Sequence, residues 1–531
     1  MDTANDLFKR FEQLNEIGAS LSSERNIDRL LENILLAAKA ITHADGGTLY
    51  RVSEGQKSLR FAIIRTDSLK IAYGGASGEP ISANFKDLPL YGVDGQPNNS
   101  LVAAYSAIHA RTVNIADAYT AEGFDFSGTR KFDQVTGYRS QSFLTVPMKN
   151  HENEIIGVLQ LINAIDQESG EVRVFSDADQ RLAESLASQA AVALTNRLLV
   201  SQLEELFEAF ITLINLAIDE KSPYTGGHCQ RVPSLTMMLA EAADAATEGP
   251  LASFAMSDKD RYELKIAGLL HDCGKVTTPV HVVDKATKLQ TIFDRIQMID
   301  TRFEVLRRDA ELGMWRAVTA GADRATEEEK WLAQSRQIDA DREFIRRVNV
   351  GGESMKPEDQ DRVRLISSTY RWRNVEGVEA DFLTDDEIEN LTIRAGTLTQ
   401  PERETINYHI VATIKMLESL PWPNHLKRVP EYAGGHHERM DGKGYPKGLK
   451  REEMSVQARI MGIADIFEAL TARDRPYKPA MKISEAMRIL GNFSKNGHID
   501  PDLFDIFVKE KVYLDYANNY LETSQIDEVG G

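Results

Sequence analysis

Hydrophobic and polar positions in the first third of the chain alternate between helical and strand-like spacing. Apolar residues recur at helical intervals from Ile27 to Ile41, which predicts an amphipathic helix. Four further stretches have the pattern of strands, at 47–52, 59–65, 142–147 and 155–162. This order predicts an α+β sensory-type domain over residues 26–170, after an N-terminal helix over residues 1–25.

A single long helix is predicted next, because residues 175–220 contain neither proline nor glycine and Ser176 can serve as the N-cap. A heptad seam of mostly apolar positions runs along it, through Leu186, Gln189, Ala193, Asn196, Val200, Leu203, Phe207, Phe210 and Ile214. Such a seam is typical of a parallel coiled coil, so we expect residues 171–221 to be a connecting helix that forms a homodimer. The alternative is an amphipathic helix that packs on its own domain.

From residue 222 onward the spacing is almost entirely helical, which predicts an all-α domain over residues 222–520 and a C-terminal tail at 521–531. The stretch from about 286 to 395 differs, because it is rich in Arg, Glu and Asp and has few turn signals. Helical runs at 289–308 and 327–347 predict that this stretch is a helical arm inserted into the domain.

Composition narrows the class of protein. Hydrophobic residues make up 42% and charged residues 27% of the chain, values ordinary for a folded protein. The chain has no apolar run long enough to span a bilayer and no signal-peptide pattern, so we expect a cytoplasmic protein with no membrane partner. The net charge of −19 argues against non-specific binding to DNA. Two cysteines, Cys229 and Cys273, make no disulfide framework, and we expect both to be small buried side chains.

Histidines and carboxylates in short motifs of the C-terminal half indicate a metal site. The motif residues are His228, His271, His409, His436 and His437, with Asp272 directly after His271 and Asp465 on a later helix. Imidazole and carboxylate ligands together suit divalent first-row metals. In an adjacent His-Asp pair the carboxylate can bridge two metals, and two such metals can clamp a phosphoryl oxygen and activate water.

These motifs resemble those of the HD-GYP family, the subgroup of HD phosphohydrolases that hydrolyses cyclic di-GMP. The resemblance covers about 222–285 and 396–510, and the HHE-x-x-DG-x-GYP loop is intact from His436 to Pro446. It implies one metal held by His228, His271, Asp272 and Asp465. A second metal would be held by His409, His436 and His437, with Asp272 bridging. The two expected divalent ions are iron or manganese.

The resemblance also implies the residues that meet the substrate. Asp272 and Lys275 are the expected catalytic residues, with Lys275 placed to meet the scissile phosphate or the leaving oxygen. Arg475, Lys478 and Tyr445 are the further expected substrate contacts. Two positions depart from the family pattern. Tyr224 stands where some members carry a glutamate that holds a third metal, so we expect two metals. Glu468 replaces an aspartate, which leaves its role open.

The function implied by the resemblance is hydrolysis of cyclic di-GMP to linear pGpG and, with a second cleavage, to GMP. Two alternatives stay open. The same site could hydrolyse cyclic GMP-AMP, or the chain could be a catalytically weak cyclic-dinucleotide receptor or scaffold that engages diguanylate cyclases. Because a scaffold usually loses a ligand residue and none is missing here, the sequence favours the enzyme.

The N-terminal domain resembles a GAF domain, most closely in the stretch from Arg130 to Tyr138 and in IIGVLQLINA. The order Lys131, Asp133, Thr136-Gly137-Tyr138 is similar to the pattern of cyclic-nucleotide-binding GAF domains, in which the Lys and Asp pair. The resemblance implies a regulatory domain that binds a small molecule such as a cyclic nucleotide, or one that serves only to dimerise. The domain contains no cysteine, which argues against a covalently attached bilin.

Overall fold

The computed structural model describes residues 2–53, 55–83, 85–221, 227–352, 354–473 and 480–529, with the backbone alone for residues 2–11 and 13. The chain divides into two compact units, residues 1–207 and 208–531, whose boundary lies within one long helix. This helix, Asp177–Lys221, spans most of residues 171–221, the expected connecting helix, and each of its ends belongs to one of the units.

The first unit contains five helices, the last of them shared with the second unit, and eight strands among the residues that the structure describes. Its helices are α1 (Asp2–Ser23), α2 (Ile27–Thr42), α3 (Val102–His109), α4 (Ser127–Thr136) and the long α5 (Asp177–Lys221), which continues into the second unit. Its strands are β1 (Ala44–Val52), β2 (Ser58–Thr66), β3 (Ile71–Tyr73), β4 (Leu88–Pro89), β5 (Val113–Ile115), β6 (Phe143–Lys149), β7 (Ile155–Ile165) and β8 (Val172–Arg173). The four predicted strands correspond to β1, β2, β6 and β7.

The strands form one antiparallel sheet in the order β3-β2-β1-β7-β6-β5, with β4 beside β2 and β8 beside β7. Both faces are covered. On one face α2 packs through Ile34 and Leu35, and on the other α3 packs through Ala104 against Tyr50 and Val158. The small side chains of α3 allow this close packing.

The N-terminal half of α5 belongs to the core of the first unit. Leu186 is fully buried there, together with Leu182, Ala190 and Leu194, and Leu21 of α1 packs in the same cluster. Of the predicted seam, Leu186 is therefore buried within the chain and Asn196 is exposed, while the other buried residues of this half lie beside the seam. Spacing alone could not show this, because a helix that packs on its own domain has the same periodicity.

The C-terminal half of α5 is different, since it exposes a stripe of large apolar side chains. The exposed members are Leu199, Val200, Leu203, Leu206, Phe210, Leu213, Ile214 and Leu216. Leu203 is 64% exposed and Phe210 56%, whereas Ile211 and Ile218 in the same helix are buried. An apolar stripe of this length is larger than isolated surface residues produce.

The second unit is mostly helical. Its helices outside the insertion are α6 (His228–Asp244), α7 (Asp258–Leu270), α8 (Val280–Val283), α13 (Gln400–Glu418), α14 (Val429–Gly434), α15 (Val456–Thr471), α16 (Ile483–Lys495), α17 (Pro501–Lys509) and α18 (Val512–Tyr520). The insertion adds α9 (Ile296–Thr319), α10 (Arg324–Asn349), α11 (Pro357–Thr369) and α12 (Asp385–Leu391), and a hairpin of β9 (Arg371–Arg373) and β10 (Glu379–Asp381).

The inserted arm has a hydrophobic core of its own. Phe303, Phe344 and Phe382 are buried together within it, and Arg302 forms a buried bidentate ion pair with Glu387. The arm is therefore a small subdomain with a β-hairpin, which the prediction of helices alone missed. The short strands lacked the length needed for a recognisable alternation.

An ion pair with a buried lysine joins the two ends of the arm. Nζ of Lys285, which is 1% exposed, lies 2.7 Å from Oε2 of Glu402 on α13 and donates to Oδ1 of Asn390 at 2.8 Å. Glu402 also forms a capping box with Thr399 at the start of α13. The arm is thereby fixed to the helix that carries His409.

Residues 521–529 of the expected C-terminal tail belong to the second unit. Residues Thr523–Gln525 form a 3-10 helix, and the buried Gln525 donates to the carbonyl oxygens of Thr471 and Met481. Among the described residues, no helix combines the length and the apolar character needed to cross a bilayer.

Candidate metal centre

The motif residues come from separate helices and from the loops that follow them. His228 begins α6, His271 follows the last turn of α7, His409 lies within α13, and Asp465 lies within α15. His436 and His437 follow α14, and Asp272 leads from α7 into the 3-10 helix Cys273–Thr277. The structure brings all seven expected metal ligands together.

Gly274 allows the close approach between two of these elements. A Cβ at this position would lie 2.0 Å from the carbonyl oxygen of His409, so a larger residue would push α13 away. The backbone N–H of Gly274 also donates to Oγ1 of Thr413 on α13, at 2.9 Å. The glycine two residues after Asp272 is therefore required by this close packing.

The ligand atoms form two groups. In one, His409, His436 and His437 each contribute a nitrogen, and in the other, His228, His271 and Asp272 contribute two nitrogens and an oxygen. Within each group these atoms lie within 4.8 Å of one another. Groups of this size and composition fit divalent first-row cations.

Asp272 lies between the two groups. Its Oδ2 is 3.0 Å from Nε2 of His228 and 3.2 Å from Nε2 of His271, while its Oδ1 is 3.4 Å from Nε2 of His409. Each carboxylate oxygen therefore faces a different set of imidazoles. Asp465 adds a second carboxylate to the first group, since its Oδ1 lies 3.4 Å from Nε2 of His228.

Hydrogen bonds on the outer side of the rings fix the imidazole tautomers. Nδ1 of His271, His409 and His436 each donates to the carbonyl oxygen three residues earlier, at 2.7, 2.5 and 2.6 Å. Because a carbonyl can only accept, Nδ1 carries the proton and Nε2 presents its lone pair to the centre. This arrangement is typical of metal-ligating histidines.

Buried polar atoms at the centre lack protein partners. Nε2 of His436 and Oδ1 of Asp272 are buried and accept no hydrogen bond from a described residue. A buried acceptor without a partner is costly unless a cation or water satisfies it. The donor set therefore fits a divalent metal.

The pKa values of His436 and Asp272 agree with ligation, whereas burial lowers the pKa of His228 but the carboxylates of Glu468, Asp272 and Asp465 outweigh it and raise that pKa well above its usual range. Burial, with a contribution from His271, lowers the pKa of His436 to about 4, so its imidazole is neutral. Burial raises the pKa of Asp272, but Lys275 and His271 outweigh it and hold the pKa well below its usual range. Neutral imidazole and ionised carboxylate are the states that bind metals.

Glu468 has a role that the sequence left open. Its Oε2 accepts a hydrogen bond of 2.5 Å from Nδ1 of His228, and its Oε1 accepts one of 2.7 Å from Nε of Arg231. Burial raises the pKa of Glu468, but the charges of His228 and Arg231 outweigh it and lower the pKa to about 2. Glu468 thus orients His228. No spacing signal could reveal this, because the two residues are 240 positions apart.

The expected substrate contacts are placed in part. Nζ of Lys275 lies 2.6 Å from Oδ2 of Asp272, and the ring of Tyr445 stacks on His437 with centroids 4.8 Å apart. Arg475 and Lys478 lie outside the described residues, as does Tyr224. Both cysteines are buried, and burial raises the pKa of Cys273 to about 11.

In the first unit the expected pairing of Lys131 with Asp133 is not among the described ion pairs. Asp133 is buried and instead accepts hydrogen bonds from the hydroxyl groups of Tyr119 and Ser140, at 2.7 and 2.8 Å. The two residues are two positions apart in α4, so their side chains point in different directions.

Comparison with known protein families supports both domains. Residues 26–194 match the GAF domain, and residues 225–345 and 385–503 each match an HD domain. The GAF match extends beyond the predicted boundary at 170 because the first half of α5 completes the core. The GAF domain of an Acinetobacter phosphoenolpyruvate-protein phosphotransferase covers 36% of this chain, and 98% of that chain, with a TM-score of 0.26 and 16% identity.

Three curated relatives are similar in sequence over parts of the chain. The 3'3'-cGAMP-specific phosphodiesterase 1 of Vibrio cholerae serotype O1 is 44% identical over 81 residues, 15% of this chain and 19% of the relative. The 3'3'-cGAMP-specific phosphodiesterase 3 of the same organism is 26% identical over 299 residues, 56% of this chain and 37% of the relative. A cyclic di-GMP phosphodiesterase of Pseudomonas aeruginosa is 39% identical over 116 residues, 22% of this chain and 27% of the relative.

These matches span at most 37% of the relatives' own length. The resemblance drawn from the motifs is confirmed at the level of domains. The chain combines a GAF domain with an HD domain and is similar in sequence to cyclic dinucleotide phosphodiesterases.

Proposed function

We propose that this chain is a metal-dependent phosphodiesterase that hydrolyses cyclic di-GMP to linear pGpG and, by a second cleavage, to GMP. The observation that carries the proposal is the position of Asp272, whose two oxygens face different imidazole groups at 3.0 and 3.4 Å. A carboxylate in this position can join two cations, and paired cations suit in-line displacement at phosphorus.

In this proposal His228, His271, Asp272 and Asp465 would hold one cation. His409, His436 and His437 would hold the other, with Asp272 shared. When bound, such cations polarise the phosphoryl oxygens and lower the pKa of water. Iron and manganese are the favoured ions, because the ligands are imidazoles and carboxylates without thiolate.

The chain's own side chains would then position the phosphate. The ammonium group of Lys275, 2.6 Å from Asp272, supports a catalytic role in neutralising charge on the scissile phosphate or the leaving oxygen. Tyr445, stacked on His437, supports a contact with the substrate. Arg475 and Lys478 are proposed as further cationic contacts from the sequence motif alone.

Cyclic GMP-AMP is the second candidate substrate. The observation in its favour is that two of the similar relatives are named 3'3'-cGAMP-specific phosphodiesterases. Both cyclic dinucleotides carry the same phosphodiester backbone, so the metal centre does not distinguish them. Discrimination would depend on contacts to the bases.

We further infer that the chain is a homodimer through the exposed stripe of α5. Leu199, Leu203, Leu206, Phe210 and Leu213 alternate at spacings of four and three, which is the a/d pattern of a coiled coil. A second copy of the same helix offers the matching surface. A small molecule bound by the GAF domain, such as a cyclic nucleotide, would regulate the enzyme through this shared helix.

The test is hydrolysis of cyclic di-GMP and cyclic GMP-AMP by protein reconstituted without oxygen with iron or manganese. Asp272→Ala is the matched variant, and turnover that disappears in it supports the proposal. Absence of turnover for both substrates, with both cations bound, would contradict the enzyme and favour a receptor that engages diguanylate cyclases.

A further inference from the structure

A cavity of about 460 Å³ opens beside the group formed by His409, His436 and His437. It is lined by His436, His437, Arg439, Lys443, Tyr445, Asp465, Ile466, Ala469, Leu470 and His498. Its walls thus combine a candidate metal group, an apolar strip and basic side chains. Mixed walls of this kind are typical of small-molecule sites.

The basic side chains lie on the GYP loop and are held by one carboxylate. Nε and one terminal nitrogen of Arg439 donate to the two oxygens of Asp441, at 3.1 and 2.9 Å. Nζ of Lys443 lies 3.7 Å from Oδ2 of Asp441. On the loop itself, two cations face one anion, and the fork of Arg439 is held in one orientation. Asp465 in the cavity lining adds a second anion, whose charge a cation bound at the candidate metal group would offset.

His498 is brought to the same cavity by the backbone. The N–H of Asp441 donates to the carbonyl oxygen of Gly497 at 2.9 Å, which attaches this segment to the GYP loop. The imidazole packs on the ring of Phe493, with centroids 4.4 Å apart. Sequence alone assigned His498 no role, because a single histidine outside a motif is more often an ordinary core or surface residue.

We propose that Arg439, Lys443 and His498 form a second phosphate subsite that receives the phosphodiester that is not being cleaved. The inference rests on the proposed function. A cyclic dinucleotide carries two phosphodiesters on opposite sides of its ring, so when one lies at the cations the other must lie elsewhere in the cavity. In a protein of net charge −19, a local positive group is needed to retain that second anion. Ile466 and Leu470 offer the apolar surface for the intervening nucleoside.

The test compares two substrates in the full-length, metal-loaded protein. Cyclic di-GMP has two phosphodiesters, whereas bis(p-nitrophenyl) phosphate has one. In the double variant Lys443→Gln, His498→Gln, the ratio of kcat/KM for cyclic di-GMP to that for the single diester falls about tenfold, the effect of losing one charge-assisted hydrogen bond. Lys447→Gln is the matched control, because Lys447 is an exposed lysine of the same loop outside the cavity lining, and it leaves the ratio within about twofold.

Equilibrium binding of cyclic di-GMP to the metal-free protein separates this proposal from the proposed function. A metal-loaded wild type that does not cleave the dinucleotide contradicts the enzyme, whereas a double variant that binds it tenfold more weakly in the metal-free state still supports the subsite. An unchanged substrate ratio together with equal affinity in the double variant overturns the subsite. Equal loss on both substrates also overturns it, because it indicates damage to the metal centre.

Discussion

The carboxylate of Glu468 accepts a hydrogen bond of 2.5 Å from Nδ1 of His228, while Nε2 of the same ring faces Asp272 at 3.0 Å. The carboxylate therefore fixes both the orientation and the tautomer of this imidazole. We expect Glu468→Ala to lower divalent metal affinity by about 10- to 100-fold, a common result of removing a carboxylate that orients a metal-binding histidine. Glu468→Gln retains an acceptor oxygen, so we expect it to lower the metal affinity less than Glu468→Ala does.

Chelator competition on the purified variants measures this affinity. Glu263→Gln is a matched control, because Glu263 is also buried but bonds only to the backbone N–H of Arg428 among its described hydrogen bonds. An affinity of Glu468→Ala equal to that of the wild type would show that His228 needs no such support.

The two ligand groups predict distinct metal stoichiometries. His437→Ala removes a ligand from one group alone, so bound metal falls from two ions per chain to one. Asp272→Ala removes the shared carboxylate and lowers occupancy of both groups. Elemental analysis of reconstituted protein measures both, with the exposed His425→Ala as control. Equal metal content in all three variants would exclude this arrangement.

The pair of the buried Lys285 and the partly exposed Glu402 predicts a loss of local stability. Lys285→Met removes a charge-assisted hydrogen bond from a carboxylate that is 20% exposed, and is expected to cost about 2 kcal/mol at neutral pH. The pair Lys330 and Glu327, at 2.7 Å in the same arm, is the comparison because its lysine is 67% exposed, and Lys330→Met costs about 0.5 kcal/mol or less. Hydrogen exchange of the arm's amides reads this local stability directly. Equal effects of the two variants would contradict the assignment.

The stabilisation that the pair of Lys285 and Glu402 provides depends on pH and is lost in acid. Burial raises the pKa of Glu402, but hydrogen bonding and charge from Lys285 outweigh it, so the folded-state pKa is below the ordinary glutamate value. The unfolded chain therefore binds the proton more readily, and the stabilisation is fully present above the ordinary value. It is lost as the pH falls through the folded-state pKa. The deficit of Lys285→Met relative to wild type should shrink in acid, which exchange rates in a pH series would reveal.

The exposed stripe of α5 predicts the oligomeric state. Leu203→Glu combined with Phe210→Glu places charges in the seam and should convert the dimer to a monomer. Leu365→Glu, on an exposed residue of α11 that is 63% accessible, should leave the mass unchanged. Sedimentation equilibrium measures all three proteins. A monomeric wild type, or a dimer that survives the double substitution, would reject the coiled coil.

Local patterns predicted the elements of this chain better than its long-range pairings. The helix at Ile27 and the strands of the sheet follow from spacing, because burial of one face gives a regular repeat. The ligand histidines were found because each lies in a short motif. The partners of Glu468 and Lys285 could not be found, since both pairs join segments far apart in the chain. The sequence also could not show whether Leu186 packs within its own unit or against a second subunit, because both kinds of packing require apolar residues at the same helical spacing.

The ion pair between Lys285 and Glu402, which joins the two ends of the inserted arm, affects how the metal centre assembles during folding. Asp272 and His409 lie on opposite sides of an insertion whose ends, Lys285 and Glu402, are 117 positions apart. Bringing distant residues together costs chain entropy that grows with the length of the intervening segment. An arm that folds around its own core and joins its ends has already closed that loop. Once the arm has folded, the loop between Asp272 and His409 is effectively short. The entropy cost of bringing these two ligands together is then close to that for residues near each other in sequence.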